Sequence, residues 1–412
     1  MLPHARFSFE PVGQGLFYTG RIGSFNMVYD CGGLLGTKKI DHLISDYIKN
    51  LGDSKIDMLI ASHLHRDHVC GFESLMRQAK VRYVFLPYLL PSQRLLLALS
   101  ESPYADPSYY DFLADPVSYF FEGGAERVIL VGSGEYGKRD KSNDYVPPDD
   151  EFKVNSEDLN EASIQLPNDD TLKTVVSEND PQLLESKYRN ILSMKTHHGM
   201  VSLRQEWIFR FFAPPTKMNL KQFESCVMKI LPRVKRLDNA TLRSILTNQT
   251  DIDKLASCYM NTFKRLNDTS LILFHGPTRK VTTFLCPSSF PLGKTVYPKS
   301  YPCKGLFEHD VNYGWLLTGD VDFKKVSTAL LNHFSHYLSS MTHLLIPHHG
   351  SKGNWDSNIM NQVARPSHWF VSFGLGNRFR HPNSGVISDI VAGGNSVSLC
   401  NEANRIDQYV LT

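Results

Sequence analysis

Residues 62–68 read SHLHRDH, three histidines and an aspartate in seven positions, directly after the apolar run IDMLIA (56–61). The run reads as a short buried strand. Histidine and aspartate are poor strand-core residues, because burying them unpaired is costly. They therefore belong to the loop beyond the strand, gathered around something. In H-x-H-x-D-H, His63 and His65 sit two apart, on one side of an extended segment. Asp67 and His68 begin the next turn and reach toward a second position. Neutral imidazole and carboxylate together suit zinc, manganese or iron.

Two later stretches repeat the arrangement of an apolar strand followed by a donor. LLTGD (316–320) places Asp320 at a strand end, and LLIPHHGS (344–351) places His348 and His349 there. A lone histidine is more often structural than a ligand. Donors at three strand ends reverse that expectation and point to a dinuclear centre on one edge of a layered fold.

The surrounding rhythm agrees. FSFEPVGQGLFYTG and FNMVYDCGG read as strands, and TKKIDHLISDYIKNLG carries Ile40, Leu43, Ile44, Tyr47 and Ile48 at helical spacing. HVCGFESLMRQA opens a second helix and VRYVFLP another strand. Strand–helix–strand alternation indicates an α/β layered fold. From Lys138 to Asp180 the chain is polar and acidic, which reads as a long excursion or flap. EWIFRFFAPP (206–215) reads as a strand, followed by helical pattern from Leu220 to Leu266. The layered pattern then resumes with SLILFHG, KVTTFLC, GWLLTG, THLLIP and HWFVSFG as strands. In KTHHGM, His197 and His198 echo the HHGS pair, but they read as a coincidental pair.

Composition excludes several classes. The 412 residues are 42% hydrophobic and 21% charged, ordinary for a soluble globular protein. A net charge of +2 argues against a broad basic surface, so any nucleic-acid contact is local. The most apolar stretch, VRYVFLPYLLPSQRLLLAL, contains Arg82, Pro87, Pro91 and Arg94 and does not suit a bilayer span. The opening MLPHARFSFEP lacks the apolar centre of a secretory signal. Seven scattered cysteines without a CxxC suggest reduced thiols and a cytoplasmic protein without a disulfide framework or membrane association.

HLHRDH, then TGD, then HHGS resembles the metallo-β-lactamase superfamily. The resemblance implies an α/β (α+β) fold, a four-layer αββα sandwich with large insertions, and one or two metals at the sheet edge. NDTSLILFHG, GWLLTGDVD, THLLIPHHGS and WFVSFGLGNRFRHP, with the opening PVGQG, resemble one branch more closely. That branch is the metallo-β-lactamase domain of the competence DNA-uptake channel protein (ComEC-type) and its free-standing relatives. The match covers about 1–90, 206–215 and 267–412. It implies a domain split into 1–100 and 267–412, with an insertion or flap at 101–205 and a strand plus helical insertion at 206–266. Many superfamily members carry a further metal-binding histidine where this chain has LNDTSLIL, so Asn267 or Asp268 stands in its place. The branch also suggests a bacterial source, a role in anti-phage defence and a protein partner from the same operon.

The expected metal ligands are thus His63, His65, Asp67, His68, Asp268, Asp320 and one or both of His348 and His349. Two divalent ions, zinc or manganese, lower the pKa of a bridging water and polarise the electrophile. Asp67 would orient the resulting hydroxide while ligating, and Asp320 would bridge. GNRFRHP supplies Asn377, Arg378, Arg380 and His381 in one loop, and arginine suits bidentate phosphate contact. Asp67, Asn377, Arg380 and His381 are therefore the expected catalytic residues, with His381 holding phosphate or donating a proton from a pKa near neutrality. The expected activity is hydrolysis of a phosphodiester in nucleic acid or a nucleotide. A hydrolase of a lactone, thioester or β-lactam fits less well, because of the absent histidine and the arginine-rich loop. A non-catalytic binding or regulatory protein is disfavoured by the intact HLHRDH and Asp320.

Overall fold

The computed structural model describes residues 5–34, 37–51, 55–101, 106–132, 162–215, 220–262, 269–285 and 306–411. Its first strands are β1 (Ala5–Phe9), β2 (Phe17–Ile22), β3 (Phe25–Cys31), β4 (Ile56–Ile60), β5 (Val81–Pro87) and β6 (Arg127–Gly132). Then come β7 (Ala162–Gln165), β8 (Leu192–Thr196), β9 (Met200–Leu203), β10 (Trp207–Phe212), β11 (Ile272–Pro277) and β12 (Val281–Leu285). The last are β13 (Leu306–Val311), β14 (Trp315–Leu317), β15 (His343–Leu345), β16 (His368–Ser372), β17 (Ser396–Cys400) and β18 (Ile406–Leu411). One sheet has the order β13-β12-β18-β1-β2-β3-β4-β5-β6-β8, and the other β17-β16-β15-β14-β11-β10-β9-β7.

The strands alternate their side chains between two buried faces. In β5, Tyr83 and Phe85 enter the core between the sheets, while Val81, Val84 and Leu86 face the helices outside. In β10, Trp207, Phe209 and Phe211 take the inner core, while Ile208 and Phe212 join the outer core beneath the helices Phe323–His333 and Ser384–Ala392. Three cores separate four layers. This is the αββα sandwich that the resemblance implies.

Several local expectations change. FSFEPVGQGLFYTG is two strands, split at PVGQG, where Gly15 adopts a φ of +138°. A side chain at Gly15 would collide with the carbonyl oxygen of Asp67, so this turn passes directly beneath the histidine motif. The stretch 101–205 is not a single excursion. Strands β6 and β8 extend the first sheet in parallel beyond β5, and β7 and β9 form the far edge of the second. Edge strands such as ASIQ and LSMKT bury few apolar residues, which hides them from pattern reading. Of the acidic stretch, residues 138–161 lie outside the described residues.

The helical pieces of both intervening stretches merge into one cap on the first sheet. Asp106 and Asp115 cap the helices Pro107–Ala114 and Pro116–Glu122, each with proline in the first turn. Fully buried Arg94 donates to the carbonyls of Leu89, Leu113 and Ala114, and to Asp180 (3.1 Å) and Asn239 (2.5 Å). It thereby joins segments far apart in sequence. Cys226 and Cys258 form a disulfide between the helices Lys221–Ile230 and Gln249–Thr262, which corrects the expectation of reduced thiols throughout. No helix among the described residues is long and apolar enough to cross a membrane.

Candidate metal centre

Strands β3, β4 and β5 run parallel, as do β14, β15 and β16, so each set delivers its following loops to one edge. The two edges meet. The Leu271 amide donates to the Ser62 carbonyl (2.6 Å), and Gly319, at φ +54°, lies against Ser62 so closely that a Cβ would sit 2.9 Å from its hydroxyl. Glycine in TGD therefore lets the Asp320 loop approach the histidine motif.

The donors converge there. Asp320 Oδ1 lies 3.4 Å from His68 Nε2 and 3.8 Å from His349 Nε2. Its Oδ2 lies 3.8 Å from His63 Nε2 and 3.7 Å from His348 Nε2. Asp67 Oδ2 is 3.3 Å from His349 Nε2, and its Oδ1 is 3.9 Å from His68 Nε2. The His65 ring packs edge-on to His63, with centroids 4.9 Å apart. His348 and His349 occupy left-handed backbone at φ +49° and +53°, a strained conformation that cradles both rings over Asp320.

The inward nitrogens carry the chemical information. Nε2 of His63, His68 and His349 are buried and lack a hydrogen-bond partner. Each ring is held from behind through Nδ1: His63 by the Ser62 hydroxyl, His68 by Asp30, and His349 by the Ser372 carbonyl, all at 2.8 Å. Leaving a buried polar atom unsatisfied costs roughly 1–3 kcal/mol, so three in one place call for a ligand. Outer partners that fix ring orientation and aim the other nitrogen inward are the usual support of metal-binding histidines. Three such nitrogens beside two carboxylates fit a divalent transition metal.

The electrostatics agree. Burial favours the neutral form of Asp67, but His68 and His349 hold its carboxyl well below the usual range. Burial acts likewise on Asp320, and His348, His349 and His68 overcome it. Burial opposes charge on His68, yet Asp320, Asp67 and Asp30 push it well above the ordinary imidazole value. Burial and neighbouring His68 drive His63 well below, and burial takes His65 down to about 4. The centre thus stabilises cationic charge between two ionised carboxylates.

Asp30 escaped the sequence reading. It is fully buried at φ +57° and accepts hydrogen bonds from the Ser62 amide (2.6 Å), the Ser62 hydroxyl (2.6 Å) and His68. Its only sequence signal is a lone aspartate ending the strand FNMVYDC. Tyr109 of the helical cap donates to the Leu64 carbonyl (2.9 Å), and Glu101 is raised to about 7 by burial and then by Asp67. The cap therefore borders the centre.

The loop after β16 is only partly as expected. His381 lies 5.9 Å from His348, ring to ring, and stacks on Phe379. Burial, and then His349 and His348, lower His381 to about 4, which corrects the expected value near neutrality. Asn377 serves the loop itself: its amide nitrogen donates to the Gly374 and His381 carbonyls, and its oxygen accepts from the His381 amide. These bonds make Asn377 a positioning residue for His381. Arg380 is exposed, at φ +58°. Asp268 lies outside the described residues.

No family model matches the chain, and no curated protein matches it. Among solved structures, the chain is similar to the metallo-β-lactamase fold protein YhfI from Bacillus subtilis, at 8% identity and a TM-score of 0.36, over 98% of this chain and 99% of that one. It is also similar to a diphosphatase of the PhnP family, at 10% identity and a TM-score of 0.32, covering 98% and 97%. A third is a long-form RNase Z from yeast, at 9% identity and a TM-score of 0.31, where 98% of this chain covers 41% of that one. Sheet order, three cores and a donor cluster at the sheet edge make this chain a four-layer αββα sandwich with a candidate metal centre at one edge.

Proposed function

We propose that this protein is a metal-dependent hydrolase acting on phosphodiesters of nucleic acid or a nucleotide. The carrying observation is the set of three unpartnered, inward-facing imidazole nitrogens beside Asp67 and Asp320. His63, His65, Asp67, His68, Asp320, His348 and His349 would hold two divalent ions, zinc or manganese, with Asp268 as a further donor. Bound ions supply Lewis acidity and a water acidified to near-neutral pKa.

The chain's own groups do the rest. Asp30, Ser62 and the Ser372 carbonyl fix the rings, so the donors need no rearrangement when they bind. His381, neutral at pH 7, donates a hydrogen bond to a phosphate oxygen, a role that its low pKa favours over that of proton donor. Arg378 and Arg380, exposed on the same loop, offset the charge of adjoining phosphates. The ComEC-type resemblance supports the nucleic-acid substrate and a role in bacterial defence.

The test is turnover of a panel after reconstitution with zinc or manganese: single- and double-stranded DNA, RNA, cyclic nucleotides, a chromogenic phosphodiester and a lactone. Metal-dependent cleavage of a phosphodiester supports the proposal. Turnover of the lactone alone would move the protein to the carbonyl-hydrolase class.

A further inference from the structure

A second histidine cluster stands apart from the first. In the first sheet β8 lies three strands beyond β4, roughly 14 Å at the usual spacing. At its end, where the chain crosses to β9 in the other sheet, stand His197 and His198. His333, at the end of the helix Phe323–His333, meets them. Ring centroids are 4.4 Å apart for His197–His198, 4.9 Å for His197–His333 and 6.0 Å for His198–His333. One nitrogen of each lies within 4.8 Å of the others. We propose that His197, His198 and His333 form a separate transition-metal site that ties this helix to the crossover between the sheets.

Three features carry it. The donors come from two elements distant in sequence, so their meeting is a product of the fold and not of a local run. Outer partners orient two of the rings: His197 bonds the Gly132 carbonyl through Nδ1 (3.2 Å), and His333 bonds the Phe211 carbonyl through Nε2 (2.9 Å). A carbonyl can only accept, so each ring must be protonated at that nitrogen and carry its lone pair on the other. Finally, burial keeps His197 and His333 in the neutral, ligating form, taken down to about 3 and about 2.

The donor chemistry selects the ion. A purely imidazole triad suits zinc or a neighbouring late first-row ion, and disfavours magnesium and calcium, which require oxygen ligands. Arg210, held over the Tyr337 ring and bonded to its hydroxyl (3.3 Å), lowers all three imidazoles and opposes a dication. The site is therefore weaker than the carboxylate-bearing centre. The competing account is an aromatic packing cluster: His197 and His333 also pack on Phe212, at 5.5 and 5.1 Å.

Zinc content after desalting, and the visible spectrum with cobalt(II), separate the two accounts in the full chain. Exposed His198 is replaced by alanine, and His333 by glutamine in a second variant. Chelator-treated wild type reloaded with zinc should retain one equivalent more per chain than His198→Ala, while phosphodiester turnover of the variant stays within twofold. Metal-free His198→Ala should melt within about 2 °C of metal-free wild type, because the replaced side chain is exposed. Equal zinc content and identical cobalt spectra in wild type and His198→Ala would overturn the site. Should His333→Gln fail to fold, the His198→Ala comparison decides alone.

Discussion

At the end of β4, the rings of His63, His68 and His349 surround two carboxylates, whereas at the end of β8 the rings of His197, His198 and His333 meet one another with no carboxylate among them, and His197 and His333 also pack on Phe212. Both clusters occupy strand ends, and both use backbone or side-chain acceptors to orient imidazoles. The carboxylates make the difference. They can compensate the charge of a dication, and with Asp30 they push His68 well above the ordinary imidazole value. The second cluster has only lone pairs to offer. One arrangement suits catalysis and the other a cross-link.

The largest expected effect comes from removing charge compensation. Asp67→Ala and Asp320→Ala should each lower turnover by roughly 10³-fold or more, with secondary structure retained by circular dichroism. His63→Ala should do the same, since these groups lie at a sheet edge and do not fill a core. Turnover near that of the wild type in any of the three would erase the distinction between the clusters.

A smaller loss is expected from His381→Ala, about 10²-fold in turnover with unchanged metal content, as for loss of one hydrogen-bond donor to developing charge. A fall in thermal stability without loss of turnover would instead assign His381 to packing. Asp30→Ala should weaken metal affinity about 10- to 100-fold, measured by competition with a chromogenic chelator, because His68 loses the partner that orients it.

The smallest effect is opposite pH dependence in chelator-treated protein. His197 and His333 have folded pKa values of about 3 and about 2, below the ordinary imidazole value near 6.5. The folded state therefore binds fewer protons than the unfolded chain in acid. Their contribution is complete above pH 6.5 and is lost as pH falls toward 3. His68 is raised, so its contribution is present below 6.5 and is lost as pH rises through its folded value. His333→Phe should flatten the acid limb of a urea-denaturation series by about 1.6 kcal/mol between pH 6.5 and 5. An unchanged limb would show that His333 titrates as it does in the unfolded chain.

How much was legible follows from where the chemistry was dense. HLHRDH, TGD and HHGS stand out because donors follow directly on apolar strands, and the same rhythm gives a layered α/β fold; the four layers come only with the resemblance. Asp30 does not, since an aspartate before Gly32 and Gly33 looks like an ordinary turn. His333 does not either, because on an amphipathic helix a histidine reads as part of the polar face, and only the fold brings it to His197. The Cys226–Cys258 pairing depends on how two helices pack, and its spacing carries no signal. The place of His381 was readable, but its low pKa was not, because burial and two neighbouring histidines set it. Residue type alone points Asn377 toward substrate, and only the folded loop shows its amide bonded at both ends within the loop.

The central claim is that the edge beyond β4, β14 and β15 is a metal centre. Anomalous diffraction at the zinc edge, on crystals of the zinc-reconstituted protein, tests it most directly. The account predicts density among His63, His68, His349 and Asp320, with nitrogen and oxygen donors at about 2.0–2.2 Å. Zinc absent from that cluster in fully reconstituted protein, with Nε2 of His63, His68 and His349 still without partners, would contradict it.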